Sequence, residues 1–102
     1  MTKSEKACRV IQSAKKESQV VGAVRDYLDS LDASDVAQLP AEVAVLGLTP
    51  AEELIQSALQ ALHNCLAEAG ATRKGGIVRE TALVFTTAAR QLTLLAEDSH
   101  SG

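Results

Sequence analysis

Aromatic side chains are almost missing from this chain: Tyr27 and Phe85 are alone among 102 residues, and tryptophan is absent. That scarcity removes the stacking platforms on which single-stranded nucleic acid is held, and it leaves the core to be assembled from aliphatic groups. Long apolar runs are missing too, so no segment reaches the length that spans a bilayer. The opening residues Met1-Thr2-Lys3-Ser4-Glu5-Lys6 are polar and lack the apolar stretch of a signal peptide. Cysteine is limited to Cys8 and Cys65, outside any Cys-x-x-Cys spacing, which predicts two reduced thiols in a cytoplasmic protein. Neither an internal repeat nor the strict alternation of a half-buried strand occurs. A net charge of -3 argues against a generic polyanion binder while leaving room for a local basic site.

What is present is aliphatic. Ala, Leu, Val and Ile make up 42 of the 102 residues, and 17 of those are alanine. An alanine buries far less than the roughly 1.5–3 kcal/mol of a fully buried Val or Leu, so the predicted core is thin, a condition that self-association relieves. The length suits one helical domain over residues 1–102, with a polar tail at about 98–102.

The aliphatics fall at helical spacing in three stretches. From Ser4 to Leu31, Val10, Ala14, Val21, Val24, Leu28 and Leu31 share one face, which predicts a long helix. At 1.5 Å per residue it would measure about 42 Å, beyond the roughly 33 Å diameter of a domain of this size. The chain must therefore bend in Lys15-Lys16-Glu17-Ser18-Gln19, near Gly22, or project from the domain. Residues 32–49 carry Pro40 and Gly47 and offer short helical pieces at Ser34–Leu39 and Ala41–Leu46, a connector expected to lie across one end of a bundle. Thr49-Pro50-Ala51-Glu52 forms a capping box that starts the second long helix, whose apolar arc runs from Leu54 to Ala69, with Gly70 suited to end it. The last helix is expected over Ile77–Glu97. Val78, Ala82, Phe85, Ala89, Leu92 and Ala96 form one face, Ile77, Val84, Ala88 and Leu95 widen it, and Leu83 and Leu94 fall outside it. The predicted architecture is all-α, a small bundle of three main helices with a short helical connector.

Chemistry-bearing residues are few. His63 and Cys65 stand two apart on a helix, about 200° around the axis, and cannot chelate one ion. A helical histidine in a bundle resembles histidine phosphotransfer domains, but their Lys-Gly after the histidine is replaced here by Leu66-Ala67, and the resemblance stops at bundle class. Asp26, Asp29, Asp32 and Asp35 oppose the dipole at the end of the first helix, without the spacing of a calcium loop; Asp32 or Ser34 suits a cap for the next short helix. Arg73, Lys74 and Arg79 flank Gly75-Gly76 at a helix N-terminus, the best anion-binding candidate, yet neither a phosphate-loop ending nor a preceding strand accompanies them. No arrangement of nucleophile and base is recognisable. The sequence thus predicts a non-enzymatic interaction or regulatory protein without cofactor or metal, a homodimer by preference. Its groove, lined by Leu83, Val84, Phe85, Leu92 and Leu94, would take a partner helix or a small apolar ligand. The alternative reading is an anion or nucleic-acid binder using Arg73, Lys74 and Arg79.

Overall fold

Thr2 opens the first helix, its extended backbone placing Oγ1 to accept the Glu5 N–H at 3.2 Å, with the Glu5 carboxylate in the first turn to complement the dipole. The computed structural model describes residues 2–44, 52–69 and 75–101. Every regular element among them is helical: α1 (Lys3–Ser13), α2 (Glu17–Asp29), α3 (Ala33–Val36), α4 (Ala41–Ala44), α5 (Glu52–Ala69) and α6 (Gly75–Ser101). The Thr49 cap and Gly70 lie outside the described residues.

The first long helix is therefore two helices folded as a hairpin: of the two outcomes expected for an over-long helix, a bend or a projection, the bend is found, at Ala14–Lys16 where the polar stretch begins. Ala14 adopts an extended conformation (φ -67°, ψ 140°) and Lys16 another (φ -137°, ψ 150°). The backbone N–H groups of Lys15 and Lys16, freed by the break, both donate to Gln19 Oε1, at 2.7 and 3.2 Å. The Ala14 carbonyl accepts from Gln91 Nε2 on α6 at 3.1 Å, so the corner is pinned to the bundle. Length did not force this break: α6 has 27 residues, about 40 Å of helix, and lies within a molecule 45 Å long.

Breaking the helix resets its phase. Ser4, Ala7 and Ile11, with Ala14 just beyond the helix, form the buried side of the first arm, while Val20, Val21, Ala23, Val24 and Tyr27 form that of α2. Val10, assigned to the inner face of an unbroken rod, is instead 47% exposed. At the open end of the hairpin Lys3 Nζ donates to the Ser30 carbonyl, so a cation from α1 meets the negative end of α2, and Asp26 borders the same hollow. That contact offsets the unfavourable acidic ending read from the sequence.

α6 is the hub, packing against α5, α1 and α2. It buries Val78, Ala82, Val84, Phe85, Ala88, Ala89 and Leu92, and α5 contributes Ile55, Ala58 and Leu62. Ala96 is exposed, outside the core face assigned to it. Four threonines on α6, Thr81, Thr86, Thr87 and Thr93, donate to carbonyls one turn back at 2.8–3.0 Å, so their hydroxyls are satisfied within the helix. Buried Thr81 also meets the Tyr27 hydroxyl at 3.1 Å. Its proton is directed at Ile77, so the phenol is the donor of that pair. The helix continues to Ser101, through residues expected to be a frayed tail.

Candidate interaction surface

Of the five residues expected to line a groove, three belong to the core. Val84, Phe85 and Leu92 are buried beneath α6, because the broad arc of that helix is covered by α1, α2 and α5 together. Leu83 and Leu94 are each 53% exposed, on the outer side that the helical wheel assigns them. The groove as read from the sequence is thus not a single surface; what reaches solvent is a stripe. At about 100° per residue, Leu83 and Leu94 are separated by about 20° around the axis and about 16 Å along it. Half-buried Thr87 and exposed Arg90 stand between them on the same side. Beside the stripe, Leu59 of α5 and Ala89, Thr93 and Leu94 of α6 border a shallow hollow of about 400 Å³.

The second candidate is reached only in part. Arg79 is exposed in the first turns of α6, while Arg73 and Lys74 lie outside the described residues. His63 is exposed, and Cys65, half-buried, directs its Sγ toward the Gln38 carbonyl at 3.9 Å. Cys8 and Cys65 are free thiols, Cys8 lying 3.5 Å from Thr87 Oγ1. Asp26, Asp29 and Asp32 are exposed and Asp35 half-buried; Asp32 occupies the N-cap position of α3, but its carboxylate accepts no capping hydrogen bond. Among the described residues no group of three or more His, Cys, Asp or Glu side chains is placed to hold a metal ion.

Burial pushes the Tyr27 phenol above its ordinary value of 10.0; the Thr81 hydrogen bond opposes this, and the Glu80 and Asp35 carboxylates add to it. The Tyr27 hydroxyl is satisfied by Thr81 inside the core, between α2 and α6.

Two concavities were not legible in the sequence. A cleft of about 540 Å³ lies against α2, α3 and α4, with Leu28, Leu31, Leu39 and Val43 in its walls and Arg25 and Asp29 at its edge. A second, of about 420 Å³, lies between the arms of the hairpin over Ala7, Val10, Ala23 and Tyr27, with Lys3 and Lys6 at one end. The first depends on the fold-back after α2 and the second on the turn at residues 14–16, and hydropathy does not say against which helix each arm folds.

No helix among the described residues is long and apolar enough to cross a membrane. No family model, curated protein or solved structure matches the chain.

Proposed function

We propose that the protein is a non-enzymatic, cytoplasmic interaction module that associates with a second copy of itself through the outer side of α6. The observation that carries this reading is the exposure of Leu83 and Leu94 on one side of the longest helix, where each leaves more than half of its surface in water. Single exposed leucines are ordinary on a protein surface. Two in line, on a chain whose core is thin in large side chains, form the repeated contact that a helix-to-helix interface uses.

Light scattering over a range of concentrations tests the proposal. The wild-type chain is expected to move from monomer to dimer, and Leu83→Lys with Leu94→Lys to remain monomeric with an unchanged helical spectrum. A chain that is monomeric throughout, or a double variant that associates as the wild type does, would overturn it.

A further inference from the structure

The side of α6 that carries Leu83 and Leu94 is complementary to itself when reversed. Leu83 and Leu94 are equidistant from the level of Ala88 and Ala89, and so are Thr87 and Arg90. Arg79 and Glu97, both exposed, are equidistant from Ala88. They are 18 residues apart, five full turns, so they occupy the same flank of the helix at opposite ends. Glu80 falls on the other flank.

From this symmetry we infer that two copies pair antiparallel through α6, related by a twofold axis lying across both helices at the level of Ala88–Ala89; the inference rests on the self-association proposed above. Such an axis exchanges the ends of the helix while keeping like flanks together. Leu83 of each copy then meets Leu94 of the other, beside the hollow bordered by Leu59 and Thr93. Arg79 of each copy meets Glu97 of the other. Arg90 of each copy falls level with Thr87 of the other but across the leucine line, so the charges that decide the pairing are those of Arg79 and Glu97. A parallel pair, whose twofold axis runs along the helices, exchanges the flanks: Arg79, Arg90 and Glu97 of the two copies are then level with their own counterparts on opposite flanks, and neither Arg79 nor Glu97 gains a partner of opposite charge. Charge therefore selects the antiparallel arrangement, as it does between helices of coiled coils. Two leucines per copy fall short of the roughly 800 Å² per partner of a standard interface, so association is concentration-dependent and sensitive to the flanking charges.

Charge exchange gives the first test. Arg79 and Glu97 are about 27 Å apart along one helix, so any energetic coupling between them arises between copies. Arg79→Glu alone and Glu97→Arg alone are each expected to weaken dimerisation about tenfold, and the double exchange to restore it. Cross-linking gives the second, in a Cys8→Ser, Cys65→Ser background whose fold is checked by circular dichroism. Oxidation of Leu83→Cys mixed with Leu94→Cys is expected to yield a covalent dimer, whereas either variant alone, with its thiols about 16 Å apart, is not. Self-cross-linking of Leu83→Cys, a dimer that cross-links in neither combination, or a double exchange without rescue overturns the antiparallel register and leaves self-association standing. A monomer at every concentration removes both.

Discussion

The Tyr27–Thr81 pair predicts an asymmetry between two substitutions that look equivalent on paper. Thr81 donates its only proton to the Ile77 carbonyl at 2.8 Å, so the 3.1 Å contact with Tyr27 is a hydrogen bond donated by the phenol. Tyr27→Phe removes the donor and leaves an acceptor oxygen whose own proton is still bonded. The loss is one net hydrogen bond, about 0.5–1.5 kcal/mol. Thr81→Val removes the acceptor and leaves a buried phenolic O–H without a partner, at a cost of about 1–3 kcal/mol. In the Thr81→Val background, Tyr27→Phe then deletes the orphaned hydroxyl and should be neutral or stabilising, a change of sign that a double-mutant cycle reads directly. Urea titrations followed by far-ultraviolet circular dichroism report all four proteins alike, and thermal midpoints should shift by roughly 4–8 °C per kcal/mol. The donor assignment fails if Thr81→Val is no more damaging than Tyr27→Phe, or if Tyr27→Phe costs the same in both backgrounds.

Two further expectations follow from the same packing. Burial holds the folded Tyr27 phenol above the ordinary value of 10.0, so the fold favours the neutral form: its contribution is complete below pH 10 and is lost as pH rises toward the folded value. Because Tyr27 is the lone tyrosine and tryptophan is absent, tyrosinate absorbance reports this site alone, and a titration at the value of a free phenol would contradict the burial. Gln91→Ala removes the bond from Nε2 to the Ala14 carbonyl and should cost about 1 kcal/mol in urea unfolding, with the hairpin corner the first region to exchange its amide hydrogens; protection there equal to that of the wild type would show that Gln19 alone holds the turn.

Helical class was readable because its signal is local: apolar groups at 3.6-residue spacing need no knowledge of what they pack against. The same wheel placed Leu83 and Leu94 outside the core arc of α6, and both are exposed. It failed at Val10 for a definite reason. A face drawn across residues 4–31 assumes continuous phase, and the extended Ala14 and Lys16 break it, turning Val10 outward. The limit set from domain diameter failed as well, since a domain longer than it is wide houses the roughly 40 Å of α6 along its 45 Å axis. The groove assignment joined residues that share a helix but not a side: Val84, Phe85 and Leu92 face inward, and only the two leucines face water.

The sequence by itself determined the helical class and the outward stripe of α6, each a matter of residues within a few turns of one another. The tertiary structure alone decided that the first helix folds back as a hairpin instead of projecting, how its acidic end is compensated and which polar groups meet in the core. Lys3 reaches the Ser30 carbonyl across 27 residues, Tyr27 finds Thr81 across 54, and Gln91 holds Ala14 across 77. Periodicity carries no information over such separations, because it states which side of a helix is apolar and leaves open which helix will cover it.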